Sequence, residues 1–216
     1  MAQAIKENLD IILALVIGLG LAAAGVIGLL DTIPINRVLA DTATETISIT
    51  ATVEASISLM VSTSSVHLSP SLVDINGVPN IGSSTNITLT AGTNDSGGYS
   101  INIGDPGPSG NSGALCHSGG CATGALYSAD AVLVAGTDGY GVQATTTDSD
   151  VTVDSDFNYW GNEHVGNVTS TLDLMASTGG PTFGDQILIK IKAAAATSTQ
   201  TGTYDDQLQL TCVSST

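Results

Sequence analysis

Few groups of residues in this chain have the types and spacing that chemistry requires. Cys116 and Cys121 bracket the stretch Cys116-His117-Ser118-Gly119-Gly120-Cys121. In an exported protein, two cysteines this close in a glycine-rich loop are expected to form a small disulfide, and the glycines allow the tight turn so short a ring needs. A metal site built on His117 and these thiols lacks a second ligand pair. Asp148, Asp150, Asp154, Asp156 and Asn158 make an oxygen-rich stretch, and Asp154-Ser155-Asp156-Phe157-Asn158 begins as a calcium loop does. The pattern then breaks, with Tyr159 at the glycine position and Val165 at the bidentate-glutamate position. The stretch reads as an acidic turn. Asp154, Asp156 and Asn158 are its only calcium candidates, and no other metal or cofactor is expected.

Asn86, Asn94 and Asn167 each open an Asn-x-Ser/Thr triplet, and all three are expected to be accessible to glycosylation. The three histidines, His67, His117 and His164, fall in no nucleophile setting such as Gly-x-Ser-x-Gly. No phosphate-cradling glycine loop opens a helix. No catalytic residue emerges, and an enzyme is not expected. Trp160, the single tryptophan, sits beside Phe157 and Tyr159. The trio reads either as core packing or as an exposed platform for a sugar ring.

The elements that must carry these residues follow from charge and periodicity. Lys and Arg number 4 against 20 Asp and Glu, a formal net charge of −16. That leaves no basic patch, which excludes nucleic acid as a partner. Residues 1–10 form a short leading region, and residues 11–30 are uncharged and almost wholly apolar. A helix of that length spans about 30 Å, the hydrocarbon thickness of a bilayer. The segment reads either as a retained membrane anchor or as an export signal, with residues 31–45 a linker that offers a cleavage site after Ala40. Both readings place residues 46–216 outside the cell.

From residue 46 onward no amphipathic helix is evident. About nine short strands are expected: 46–53, 55–62, 86–90, 99–103, 131–135, 140–146, 167–175, 186–193 and 203–213. Turn clusters such as Asp74-Ile75-Asn76-Gly77 and Asn94-Asp95-Ser96-Gly97-Gly98 separate them. The fold class is all-β, an antiparallel β-sandwich of Ig-like or jelly-roll-like type, preceded by one hydrophobic helix. In residues 186–192, Ile187, Ile189 and Ile191 share the inner face, so Lys190 and Lys192 are expected to look outward. Tyr204, Leu208, Leu210 and Cys212 point inward from the last strand, which makes Cys212 an inert thiol.

The longest alternation runs from Ile47 to Val61, where every odd residue is small or apolar. At about 3.3 Å per residue it reaches roughly 50 Å, far more than a strand of ordinary length. Either it bends between two sheets, or its first half leaves the domain and pairs elsewhere.

The run Ile47-Ser48-Ile49-Thr50-Ala51-Thr52-Val53, the pair Asn86-Ile87-Thr88-Leu89-Thr90 and Gly98-Tyr99-Ser100-Ile101-Asn102-Ile103, and the closing Thr201-Gly202-Thr203-Tyr204 with alternating residues to Thr211 resemble bacterial surface β-sandwich proteins. That set includes spore-coat-U and WxL-like domains and camelysin-type biofilm fibre subunits. Trp160 is followed by Gly161 and Asn162, so the Trp-x-Leu pair is absent. The fibre resemblance implies subunits joined by an N-terminal strand, with Ile47, Ile49 and Val53 filling a neighbour's groove. The expected function is therefore a non-enzymatic exported structural protein, the subunit of a cell-surface filament or coat. Its partners would be other copies of itself or other surface proteins, with the membrane added if residues 11–30 are retained. The alternative is a membrane-tethered monomeric sandwich that binds glycan or protein through its loops.

Overall fold

The computed structural model describes residues 48, 50–107 and 112–215. Ile47, Ile49, the apolar segment 11–30 and the linker 31–45 with Ala40 lie outside the described residues. The chain divides into Met1–Ala51 and Thr52–Thr216, and the second unit is an antiparallel β-sandwich. One sheet has five strands: β1 (Ile57–Val61), β2 (Ile81–Ser83), β3 (Ile87–Thr93), β8 (Gly139–Thr146) and β12 (Thr182–Ala194). The other has four: β4 (Tyr99–Gly104), β9 (Val151–Val153), β11 (Asp173–Thr178) and β14 (Gln209–Ser214). The two sheets thus hold the expected nine strands, although β2 and β9 replace two of the expected segments. Strands β5 (Ala114–His117), β6 (Ala125–Tyr127) and β13 (Tyr204–Asp205) form a small third sheet, and β7 (Ala131–Val132) pairs with β10 (His164–Val165).

Alternation explains the core. Ile87, Leu89 and Ala91 of β3, Tyr99, Ile101 and Ile103 of β4, and Ile187 and Ile189 of β12 are all buried and belong to one apolar cluster. Each buried Ile or Leu contributes about 1.5–3 kcal/mol relative to an exposed one. In β12 a bulge falls between Phe183 and Asp185, at Gly184 with φ +81°. The extra residue turns Phe183 out to 74 % exposure while Asp185 goes in to 6 %.

Of the long opening run, the described residues 48 and 50–56 carry no strand. Among the described residues strand structure begins at Ile57, which lies opposite Thr93, the last residue of β3. Beyond Thr93 the partner chain turns away through Asn94 and Asp95, so residues 52–56 have no ladder to join, and Val53 is 84 % exposed. Within β1 the odd residues do point toward the sandwich interior, yet Ile57 and Val61 remain exposed and Leu59 half-buried, because open space lies beneath them.

The lysines also differ from expectation. Lys192 lies on the outer sheet face but is buried, because the chain from Phe157 to Gly166 folds over that face. Its ammonium donates to the Asn162 carbonyl at 2.5 Å and to Glu163 Oε2 at 3.0 Å. Gln143, on neighbouring β8, donates to the carbonyls of Asn162 and His164. Val142 and Gly166 exchange backbone hydrogen bonds, and the Ala144 N–H donates to the Phe157 carbonyl. The outer edge of β8 is thereby closed. Gly141 permits this approach, since a Cβ there would lie 2.5 Å from the Gly166 carbonyl oxygen.

Candidate functional site

A cleft of about 1190 Å³ opens along the opposite side of the sandwich. Leu59, Ile87, Ile189 and Ile191 reach it from the five-stranded sheet, and Ile103 and Leu210 from the four-stranded one. Segments 63–68 and 199–208 wall it. Strands β1 and β14 flank it, each the edge strand of its sheet. Among the described residues no strand pairs with the far edge of either. Two unpaired ladder edges, on strands that also pack against each other, therefore border an apolar cavity, an arrangement that strand addition can use.

Polar ties join the two sheets at both ends of β4. At its start, the Tyr99 hydroxyl donates to Asp185 Oδ2 at 2.8 Å, and Thr182 Oγ1 donates to Asp185 Oδ1 at 2.5 Å. One carboxylate there meets two donors. At the other end two carboxylates meet one side-chain donor, and the Gln207 N–H donates to Asp206 Oδ1 at 2.7 Å. The Tyr140 hydroxyl donates to Oδ2 of Asp206, in a short contact, and lies 3.3 Å from Asp105 Oδ2. Asp105 is fully buried, and its Oδ1 has no hydrogen-bond partner. Burial pushes the Asp206 carboxyl up to about 7, with the hydrogen bond and negative charge of Asp105 adding to it and Tyr140 opposing it. Burial also drives both tyrosine hydroxyls well above their ordinary range. Local sequence gives no sign of this cluster, because Asp105 stands in a turn and Asp206 between two strands.

The residues singled out from sequence are placed as follows. Cys116 and Cys121 form the disulfide, with Cα atoms 4.5 Å apart. Cys116 is buried in β5, and the residues that the ring closes over, Ser118, Gly119 and Gly120, are exposed. Cys212 is free and half-buried, and burial raises its thiol. Asp154 and Asp156 line a small acidic hollow with Asp130, Asp173 and Asn167, whereas Asn158 does not line it. Asp154 Oδ1 accepts the Asp156 N–H at 3.0 Å as an Asx-turn. Among the described residues no three His, Cys, Asp or Glu side chains are arranged to hold a metal ion.

Of the glycosylation candidates, Asn86 is exposed and Asn167 half-buried. Asn94 is not free as expected, since its Nδ2 donates to the Glu54 carbonyl at 2.8 Å. The aromatic trio separates as well. Phe157 is in the core, Tyr159 packs on His164 with ring centroids 3.7 Å apart, and Lys190 Nζ covers the half-buried Trp160 ring at 4.5 Å.

No family model matches the chain, and no curated protein does.

Proposed function

We propose that this chain is a non-enzymatic exported structural protein, the subunit of a cell-surface filament or coat. In this reading residues 46–53 of one copy enter as a strand at the cleft of the next. The observation that carries it is a complementarity within one chain. The donor segment has apolar residues at every second position, Ile47, Ile49, Ala51 and Val53. The acceptor is an apolar cleft bordered by the open edges of β1 and β14. Its volume exceeds the roughly 300–1,000 Å³ of small-molecule sites. The closed edge of β8 further supports addition on the β1 and β14 side. A head-to-tail contact of this kind repeats without closing, and so builds a filament. The resemblance to camelysin-type fibre subunits points the same way.

Deleting residues 41–53 tests the proposal. Negative-stain microscopy of the full chain is expected to reveal filaments, and the deleted form to remain a folded monomer. Discrete particles from the full chain would favour a monomeric binding module. An unfolded deletion product would place the segment in its own core.

A further inference from the structure

Asp105, Asp206 and Tyr140 form a staple across the two sheets. Tyr140 belongs to β8 of the five-stranded sheet, Asp105 directly follows β4 of the other, and Asp206 lies in the segment leading into β14. Tyr140 and Asp206 both line the cleft. The wall 199–208 is also held at its start, where Thr199 Oγ1 donates to Asp138 Oδ1 at 2.5 Å, and on its far side. There Ser118 N–H donates to the Thr203 carbonyl, Asp205 pairs with Cys116 of β5, and the Tyr204 hydroxyl donates to the Gln200 carbonyl. Asp206 is thus the wall's tie to Tyr140 and to the end of β4.

The groups facing Asp206 are Asp105 from β4 and the Tyr140 hydroxyl from β8. On its own segment, Tyr204 turns toward His117 and Asp205 is exposed. Neither ion pair of the described residues, His164–Asp130 or Lys192–Glu163, includes these residues. Two carboxyl groups that both reach the Tyr140 hydroxyl, with the Gln207 N–H as the other donor to Asp206 and no facing cation, sit together when Asp206 is protonated and repel when both are charged.

The geometry points to a proton-operated clamp on the cleft, resting on the strand-addition reading above. With Asp206 protonated, the wall 199–208 stands against Tyr140 and the cleft can hold a strand. When that proton passes to bulk water, two like charges under one hydroxyl drive the wall off Tyr140, and the docked strand is released. Acid therefore favours docking, and rising pH dissolves it.

The test uses the full chain and a fluorescently labelled peptide with the sequence of residues 46–53, with binding followed by anisotropy. Affinity is expected to fall at least tenfold between pH about 5.5 and about 8.5, a difference above 1.4 kcal/mol. The Asp206→Asn variant, which cannot lose the proton, is expected to bind equally well at both. Tyr140→Phe keeps the ring in the core but removes the donor that favours the charged carboxylate, so the midpoint moves to higher pH. A purely packing role for Tyr140 would leave the midpoint in place. Equal wild-type affinity at both pH values overturns the clamp and leaves strand addition standing. Binding at neither pH overturns strand addition, and the clamp is then decided by amide exchange, corrected for its intrinsic pH dependence. Faster exchange of residues 203–208 at the higher pH, absent from Asp206→Asn, upholds the clamp, and unchanged protection overturns it.

Discussion

Asn94 and Ser56 hold each other by their backbones and one side chain. The Ser56 N–H donates to Asn94 Oδ1 at 2.6 Å, and the Asn94 N–H donates to the Ser56 carbonyl at 3.3 Å. Thr93 Oγ1 also donates to the Ser56 carbonyl, at 2.8 Å. The turn after β3 thus ends the β1 ladder with side-chain groups where backbone pairing runs out.

Replacing Asn94 with alanine removes the acceptor for Ser56 and the donor to Glu54. The loss is expected to cost about 0.5–1.5 kcal/mol, because the Ser56 N–H turns to solvent rather than staying buried without a partner. Amide exchange is expected to accelerate at Ser56 and Ile57 while the β3–β12 ladder stays protected. Uniform acceleration would contradict this local role.

Stability is expected to depend on pH through Asp206. Its folded-state pKa of about 7 lies above the ordinary carboxyl range. Between those values the native state keeps a proton that the unfolded chain has released. Stability from this group is therefore full below pH about 4, falls as pH rises, and is lowest above about 7. Urea unfolding at a series of pH values checks the slope, and Asp206→Asn is expected to flatten it.

Lys192 and Glu163 separate the effect of burial from the effect of pairing. Lys192 is buried, whereas the Glu163 side chain is 48 % exposed. Glu163→Ala leaves a buried ammonium with the Asn162 carbonyl as its remaining described partner, and is expected to cost about 1–3 kcal/mol. Lys192→Met keeps the aliphatic volume and returns Glu163 to water, so it is expected to be neutral or slightly stabilising. Thermal melts of the two variants distinguish these outcomes, and equal destabilisation would refute the argument.

Gly141→Ala places a methyl group 2.5 Å from the Gly166 carbonyl oxygen and 2.6 Å from Val165 Cγ2. Neither backbone can move without breaking the paired bonds between Val142 and Gly166. A loss of about 2 kcal/mol or more is expected. As the overlying chain loosens, Trp160 fluorescence should shift to the red. An unchanged spectrum and melting temperature would show that the approach can relax.

The facing sheets were legible from sequence where strands alternate strictly and pair along their full length. Ile187 and Ile189 lie inward as their spacing demands, as do Tyr99, Ile101 and Ile103. The disulfide was legible from spacing and glycine content. Position 57 as the start of β1 was not, because alternation describes one strand while its extent depends on where the partner turns. The burial of Lys192 was missed for a related reason. Periodicity assigns it to the outer face, but only the chain around Asn162 and Glu163 determines that this face is covered. The meeting of Asp105 and Asp206 at the Tyr140 hydroxyl joins residues far apart in sequence, none within a motif, so only the assembled sandwich brings it into view.

The placement of the cations has a practical consequence. Lysine and arginine occur only at Lys6, Arg37, Lys190 and Lys192. The last two sit in β12, which is paired along both edges, one held over Trp160 and the other buried against Glu163. Trypsin therefore finds no extended, accessible bond in the folded sandwich and can cut it only after its central strand has come apart. The rate of tryptic digestion at Lys190 and Lys192 is a direct clock for global opening of this domain.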